Sequence, residues 1–429
     1  MDAALSDIQF GFALLLAQTW TSLIAIFWYT IIFEGPRYIL PFIAAGFTQR
    51  SPEGADIPDD DRESKKPSVS VILVGHNEED ALEACVRSLR EQSFNDFDIV
   101  IVSDGSIDKM SRVARDIVKR GDATCIVSTD IRGGKSSGIN LACSAAKGDI
   151  IINVDCDCSF DRYAIEHLIK SFEDPTVGCA CGDIAPRNSH ASIVAQFQEI
   201  EYLQSISVAK RIGSAVDQIV CASGAFSAFR RGALESAGGF DVGGGEDLDV
   251  TIRLRKRGWR IAFAADAICY TDVPTTAFQY IRQRLRWERD AIWLRFSKHK
   301  ALFNPFSRSF RFAEAFHQWD FFVFGVAGAA IFPIYLIWLF ATFGSLALVI
   351  LIAMQIGLLC LDTMVLAISA WVTRRKVFWR NLPFVPGYSL FMTYVMRPVR
   401  LMAYIDEWAF SGSRRDNYTP IKVRLERPW

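Results

Sequence analysis

Two carboxylates stand two residues apart in this chain, at Asp155 and Asp157, directly after a mostly apolar stretch at 150–154. Residues two apart on a strand point to the same side, so the two carboxylates are expected to share one face. Ligands of open α/β sheets bind outside the carboxyl ends of the strands. Paired carboxylates there hold a hard divalent cation, Mg²⁺ or Mn²⁺, which suits a substrate that carries phosphates. Taken alone, the pair also fits a solvated turn.

Further polar residues are expected at the same edge of the sheet. Glu78 follows the first predicted strand, Asp104 ends the second, and Lys135 opens a helix after two glycines. Each of these residues alone also fits a cap or a turn. Together with the carboxylate pair they would provide acceptors for a base and a ribose and positive charge for phosphates. The set therefore predicts a pocket for a nucleoside diphosphate.

A second pair of carboxylates, Glu246 and Asp247, follows the glycine-rich stretch 238–245. Glycine lets the backbone bend sharply before them, and a carboxylate held there suits the role of a general base. The alternative is an ordinary helix N-terminus, where acidic residues are favoured.

Three residues on one predicted helix, 275–296, are spaced i, i+3 and i+4 and therefore share a face: Gln283, Arg286 and Trp287. An arginine suits a diphosphate, and an indole offers a flat surface for a sugar ring. The alternative is a juxtamembrane helix with a tryptophan at the membrane interface.

The elements that must position these residues alternate between strands and helices. Apolar strands are predicted at 68–75, 97–103, 123–128 and 149–154, with amphipathic helices between them. This alternation predicts an α/β fold with a parallel sheet wrapped by helices. The turn after the first strand has a single glycine, Gly75, so the glycine pattern of a dinucleotide-binding fold is missing.

Long apolar stretches flank this region. Residues 8–33 carry no charge and are long enough to cross a bilayer. The stretches 321–343 and 346–372 predict a hairpin of two further crossings. Residues 382–405 contain prolines and arginines, which favours an interfacial or re-entrant segment. The distribution of basic residues predicts that the N-terminus lies outside the cell and the catalytic domain in the cytoplasm. The predicted location of the protein is the plasma or inner membrane.

We therefore divide the chain into four parts: an anchor (1–36), an interfacial segment and linker (37–67), a catalytic domain (68–300) and a C-terminal membrane region with a basic tail (301–429). The 429 residues are 51% hydrophobic with a net charge of -1, so nucleic acid is not an expected partner. The cysteines are scattered within predicted strands, where they fit small buried residues better than a zinc site. Free thiols favour a reducing compartment.

The ordered set of these motifs resembles the D, DxD, ED, QxxRW signature of membrane-embedded family 2 glycosyltransferases. That family includes cellulose, chitin, hyaluronan and poly-N-acetylglucosamine synthases. The resemblance covers about residues 68–300 and implies a GT-A (Rossmann-like) catalytic domain. The chain departs from the pattern at two places: Gly245 stands where the cellulose-type motif has threonine, and Gly75-His76 replaces the usual Pro-x-Tyr.

The resemblance also implies a role for each motif residue. The implied sets are nucleotide or donor binding (Glu78, Asp104, Lys135, Asp155, Gln283, Arg286), metal binding (Asp157, Asp155), catalysis (Asp247 as base, with Glu246) and acceptor binding (Trp287, Ser223, Gly224). Mg²⁺ or Mn²⁺ is the implied cofactor.

The implied reaction is an inverting transfer of a hexosyl or N-acetylhexosaminyl group from a UDP-sugar. The favoured product is a β-linked polysaccharide that grows processively and is exported through the bilayer. A second copy of the chain or an export partner is compatible with this. The alternatives are a non-processive transfer to a ceramide or other lipid acceptor, and a tethered nucleotide-sugar-binding regulator without catalysis.

Overall fold

The computed structural model describes residues 11–36, 67–241, 243–307, 310, 312–415 and 420. The predicted interfacial segment and linker at 37–66, the residues before 11 and most of the basic tail lie outside the described residues. We assign the sheet strands as β1 (Val69–Gly75), β2 (Phe97–Asp104), β3 (Cys125–Thr129), β4 (Ile150–Val154), β5 (Ser159–Phe160), β6 (Val177–Pro186), β7 (Phe226–Arg230) and β8 (Arg260–Thr271).

The α-helices, in chain order, are α1 (Trp20–Ile26), α2 (Leu82–Arg90), α3 (Met110–Lys119), α4 (Lys135–Ala145), α5 (Ala164–Lys170), α6 (Ile193–Tyr202), α7 (Ala209–Ala215), α8 (Arg231–Ala237), α9 (Glu246–Lys256), α10 (Ala277–Trp293), α11 (Phe312–Asp320), α12 (Gly328–Phe343), α13 (Leu346–Thr373), α14 (Phe378–Asn381), α15 (Val385–Phe391) and α16 (Arg397–Phe410). Turns of π-helix occupy Thr30–Glu34, Leu203–Val208, Leu294–Lys298, Phe321–Ala327 and Met392–Met396. Short 3₁₀ turns occupy Ser171–Glu173, Ser189–Ala191, Lys300–Phe303, Leu382–Phe384 and Gly412–Arg414.

The strands form one twisted sheet with the order β3-β2-β1-β4-β7-β6-β8-β5. Strands β1 to β4 are parallel to one another, as the alternating pattern predicts. The second half departs from the prediction, because β7 runs antiparallel to both β4 and β6 and β5 runs antiparallel to β8. As a result β7 begins at the edge where β4 ends, and the loop before it reaches that edge.

Helices cover both faces of the sheet and make the α/β fold a three-layer structure. On one face, α2 and α3 bury Leu82, Leu89 and Met110 in a cluster with β1 and β2. On the other face, α4, α8 and α9 bury Ile139 and Leu254, among others, against the same strands. Full burial of such a side chain contributes about 1.5–3 kcal/mol, so the central strands form a rigid base for the loops at their ends.

The predicted hairpin is present as two long apolar helical segments. Residues Glu314–Phe343 and Leu346–Thr373 are each long and apolar enough to cross a membrane. Gly344 links them with φ +55°, a value that favours glycine. The N-terminal residues pack on this hairpin, since the Tyr29 hydroxyl donates to the Gly328 carbonyl oxygen at 2.8 Å. The residues at 382–405 are almost entirely helical, and their path relative to a bilayer stays a prediction.

Candidate active site

Two cavities open at the carboxyl edge of the sheet, and they share three residues. The smaller has a volume of about 240 Å³ and is lined by Glu78 and Asp104, among others. The larger, about 460 Å³, is lined by residues of the β7 loop, α9 and α10. Lys135, Asp155 and Asp157 line both cavities. The predicted site residues are therefore brought to one place but divided between two adjoining spaces.

Asp104 fixes the glycine turn that precedes Lys135. Its two carboxylate oxygens accept hydrogen bonds from the backbone N–H groups of Gly133 and Gly134, each at 2.7 Å. Gly134 has φ +90° at the N-terminus of α4, a conformation that glycine adopts without strain. Asp104 also lines the smaller cavity. The same side chain therefore bounds that cavity and holds the turn at the start of α4.

Lys135 places a positive charge between Asp155 and Glu246. Its Nζ lies 2.7 Å from Asp155 Oδ1 and 3.4 Å from Glu246 Oε1. Lys135 is partly exposed to both cavities, where a diphosphate would be attracted to it.

Asp157 is held by its neighbours in the sheet. The Thr271 hydroxyl donates to its Oδ2 at 3.2 Å, and Arg187 donates to its backbone oxygen at 3.0 Å. Burial raises the pKa of Asp157, and the Asp155 charge raises it further. A pair of carboxylates that repel one another in this way is stabilised by a cation.

Glu78 belongs to the same group of negative charges. Burial, followed by the charges of Asp157 and Asp155, raises the pKa of Glu78 to about 7. Among the described residues, no three acidic, histidine or cysteine side chains converge closely enough to hold a metal ion by themselves. Asp155 and Asp157 fit a Mg²⁺ or Mn²⁺ ion that takes its remaining ligands from phosphates and water, which is a common mode for Mg²⁺.

Asp247 lies in the wall of the larger cavity at the first turn of α9. Its Oδ2 accepts from the Gly224 N–H at 3.2 Å, and its Oδ1 accepts from the Leu248 N–H at 2.8 Å. Glu246 lines the same cavity, and burial raises its pKa while Lys135 opposes the shift. Backbone N–H groups thus hold both carboxylate oxygens of Asp247, which fixes the orientation of this side chain in the cavity wall.

The β7 loop brings Ser223 and Gly224 beside Asp247. Asn153, a buried residue inside β4, donates to the Gly224 carbonyl oxygen at 2.7 Å. Lys210 of α7 is buried and donates to the Ser223 hydroxyl. Asn153 and Lys210 were missed in the sequence. A polar residue inside an apolar strand was the available signal for Asn153, whereas Lys210 gives none.

Gln283, Arg286 and Trp287 all line the larger cavity, as their spacing on α10 predicts. Trp287 keeps 38% of its surface exposed. The guanidinium carbon of Arg284 lies 4.2 Å from the centroid of the indole ring. The sequence did not predict this contact between Arg284 and Trp287, although Arg284 lies inside the QxxRW motif.

Comparison with known proteins finds the family that the sequence resembles. The family described as "Glycosyltransferase like family 2" matches residues 67–289. A poly-beta-1,6-N-acetyl-D-glucosamine synthase of Staphylococcus aureus (strain MSSA476) is 29% identical over 234 residues, which are 52% of this chain and 56% of the relative. An N-acetylglucosaminyltransferase of Rhizobium meliloti (strain 1021) is 29% identical over 235 residues, 52% of this chain and 55% of the relative. The matches thus span about half the length of these relatives.

A solved structure shares the fold. It is a mannosyltransferase from Pyrobaculum calidifontis in complex with GDP-Man and Mn²⁺, with a TM-score of 0.55 and 20% sequence identity. The similarity covers 90% of this chain and 99% of the other. The expected GT-A type of α/β fold is thereby confirmed.

Proposed function

This chain belongs to glycosyltransferase family 2, and we propose that it transfers a sugar from a UDP-sugar to a hydroxyl group of a growing β-linked glycan. The observation that carries this proposal is the division of the site into two cavities that meet at Lys135, Asp155 and Asp157. The smaller cavity suits the nucleoside and the larger suits the acceptor. The bond to be broken would then lie at the shared wall.

The donor end is formed by the residues around the shared wall. Glu78 and Asp104 line the space for the base and ribose, while Lys135 and Arg286 supply positive charge for the diphosphate. A Mg²⁺ or Mn²⁺ ion bound at Asp155 and Asp157 would neutralise charge on the departing UDP. Positive groups placed where negative charge develops stabilise the transition state.

Asp247 is the proposed general base. Its carboxylate accepts the proton of the acceptor hydroxyl while the hydroxyl oxygen bonds to the anomeric carbon. The bond from that carbon to the UDP oxygen breaks as the new bond forms, so the configuration is inverted. Trp287 presents its exposed ring face to the acceptor sugar in the same cavity.

N-acetylglucosamine is the proposed transferred sugar, because both named relatives act on or polymerise it. We also propose that the hairpin anchors the enzyme in a membrane, with the anchor, linker and basic tail placed as the sequence predicts. Processive growth and export of the glycan belong to this proposal.

The decisive experiment uses the full chain reconstituted in lipid vesicles. It is incubated with a panel of UDP-sugars and Mn²⁺ or Mg²⁺, and the products are sized. Release of UDP with a long polymer supports the proposal, and a single-sugar lipid supports the glycolipid alternative. UDP binding without turnover of any donor would favour a regulator.

The base is tested by D247N, which we expect to lower transfer about 10²–10⁴-fold while UDP binding is retained. D266N alters an exposed carboxylate and is the matched control. Normal turnover by D247N would contradict the assignment of Asp247.

A further inference from the structure

Arg187 bridges the two chain segments that meet at Asp157. It follows β6 directly, and its backbone N–H donates to the Thr271 carbonyl oxygen at 2.8 Å. Its Nη2 donates to the Asp157 backbone oxygen at 3.0 Å, and its Nη1 donates to Ser159 Oγ at 3.1 Å. Its Nε and Nη2 also donate to the two carboxylate oxygens of Asp272, at 3.2 and 2.6 Å. One side chain therefore ties the turn after β4 to the end of β8.

Thr271 completes this bridge at the Asp157 carboxylate itself. It is the last residue of β8, and its hydroxyl donates to Asp157 Oδ2 at 3.2 Å. A hydroxyl has a single proton to donate, so the contact distinguishes one carboxylate oxygen from the other. Asp157 is thus held at its backbone by Arg187 and at its carboxylate by Thr271.

Asp157 depends on such support because it lies outside regular structure. β4 ends at Val154 and β5 begins at Ser159, so Asp157 belongs to the turn between the two strands. Side chains on turns are positioned less precisely than side chains on strands. The Arg187–Asp272 pair is exposed on both sides, and exposed ion pairs contribute little stability. The bridge is therefore suited to positioning the turn and is of minor importance for the stability of the fold.

We propose that Thr271 and Arg187 are positioning residues that hold the Asp157 carboxylate in place for a divalent cation. Both act through Asp157 and supply no ligand atom of their own. The Thr271 hydroxyl occupies one lone pair of Oδ2 and leaves the other lone pairs of the carboxylate to the cation. Partners that orient a metal ligand in this way typically change metal affinity about 10–100-fold. The proposal rests on the proposed function, because it takes Asp157 as a ligand of the cation.

The positive charge of Arg187 separates a positioning role from a purely electrostatic one. A guanidinium near the carboxylates of the site weakens their attraction for a second cation. If Arg187 acted through its charge alone, R187M would tighten Mn²⁺ binding, and the Asp272 carboxylate left without its partner would tighten it further. If Arg187 holds the turn, R187M weakens Mn²⁺ binding because the backbone of Asp157 is released. The two roles therefore predict changes of opposite sign.

The test is equilibrium binding of Mn²⁺ to the reconstituted full chain saturated with UDP. Electron paramagnetic resonance measures the free ion, and a titration of UDP alone corrects for the ion held by free nucleotide. T271V removes the hydroxyl and keeps the shape of the side chain, and we expect it to raise the Mn²⁺ Kd about tenfold. T271S restores the hydroxyl and should recover most of the affinity, while R187M should raise the Kd about tenfold as well. The UDP Kd in EDTA should stay unchanged, because neither residue lines the smaller cavity.

T176V is the matched control, since the Thr176 hydroxyl also donates to an aspartate, Asp174 Oδ1 at 2.6 Å, and neither residue lines the two cavities. It should keep the wild-type Mn²⁺ Kd. UDP binding in EDTA reports folding, and the T271V and T271S pair decides if R187M does not fold. Wild-type Mn²⁺ affinity in T271V, or tighter binding by R187M, would overturn the proposal. D157N tests the metal assignment of the proposed function separately: it should weaken Mn²⁺ binding strongly, and an unchanged Kd in D157N would overturn that assignment and the present proposal together.

Discussion

The Arg284 guanidinium lies behind the Trp287 indole, with 4.2 Å between its carbon and the ring centroid. Arg284 is in turn paired with Glu201 at 2.7 Å, and the Tyr280 hydroxyl donates to the same Glu201 oxygen at 2.8 Å. One face of the ring is thus held by a buried cation while the ring keeps an exposed surface for a ligand. The pairing explains how an exposed tryptophan keeps one orientation.

This relationship predicts that R284M weakens acceptor binding and leaves UDP binding unchanged. A cation placed over an aromatic ring contributes about 0.5–2 kcal/mol, which corresponds to about 2–30-fold in the acceptor KM. E201Q should be combined with R284M, because Glu201 would otherwise be left buried without its cation. Steady-state kinetics with varied acceptor provide the measurement. R282M, which removes an exposed arginine of the same helix, should change neither constant, and equal losses of UDP and acceptor affinity would argue for a general structural role.

The glycine turn before Glu246 is shaped by α10. A Cβ on Gly244 would lie 2.3 Å from the Asp290 carboxylate oxygens, and a Cβ on Gly245 would lie 2.7 Å from Leu294 Cδ1. Gly245 also has φ +70°. Gly245, which stands where the cellulose-type motif has threonine, therefore fits its position: it packs against Leu294, the residue after α10, in a backbone conformation that favours glycine.

We expect G244A to reduce kcat, because Asp290 must move and the start of α9 moves with it. A misplacement of about 1 Å at a reacting group can cost about 10²-fold in rate. UDP binding should change little, since the smaller cavity does not include this turn. G232A is the control, as a Cβ there meets open space. Wild-type kcat in G244A would show that the position of Asp247 does not depend on this contact.

The sequence predicted the parallel half of the sheet and the two acidic pairs, Asp155/Asp157 and Glu246/Asp247, because apolar periodicity and strand ends are local signals. It did not predict the reversed β7, since the direction of that strand depends on where the chain returns after α7. The same is true of Asn153, Lys210 and Arg284. The contacts of Asn153 and Lys210 with the β7 loop join segments far apart in sequence, and so does the pairing of Arg284 with Glu201, although the Arg284–Trp287 contact is an i, i+3 contact within α10.

Cation binding should become tighter as pH rises through 7. The pKa of Glu78 is raised from near 4.5 to about 7 by burial and by the two aspartates, and a bound cation would favour the charged carboxylate. Binding of Mn²⁺ near pH 7 should therefore release a proton. Calorimetry in two buffers with different ionisation heats measures that release, and E78Q should abolish it. Affinity that is constant from pH 6 to 8 would contradict the prediction.

The raised pKa of Glu78 also predicts how the stability of the metal-free protein depends on pH. A carboxyl group with a raised pKa in the folded state stabilises that state fully below its unfolded pKa, near 4.5, and loses the contribution as pH rises through about 7. The metal-free wild-type protein should therefore lose more stability than E78Q between pH 5 and 8. Glu78 is partly exposed, so solvent screening makes the difference modest. Thermal unfolding midpoints at several pH values provide the comparison.

Asp104 is expected to act on the nucleotide through the turn it holds. D104A leaves the Gly133 and Gly134 N–H groups without their acceptor, and hydrogen bonds to charged groups contribute about 1.5–3 kcal/mol. We expect faster hydrogen exchange at residues 132–136 and about tenfold weaker UDP binding, since the loss of order is felt in the smaller cavity. D116A, at an exposed position on α3, should leave both unchanged. Weaker UDP binding without faster exchange would instead assign Asp104 a direct contact with the nucleotide.

The pair Arg255–Glu314 ties the end of α9 to the start of the first membrane-length helix. Arg255 Nη2 lies 2.9 Å from Glu314 Oε2, and both residues are buried. Removing one member of a buried ion pair leaves the other charge uncompensated and costs about 3–5 kcal/mol. E314L should therefore lower the unfolding midpoint in detergent strongly, while R255M/E314L should recover most of the loss, because the second substitution removes the stranded charge. If the double variant were as unstable as E314L, packing and not charge would dominate this contact.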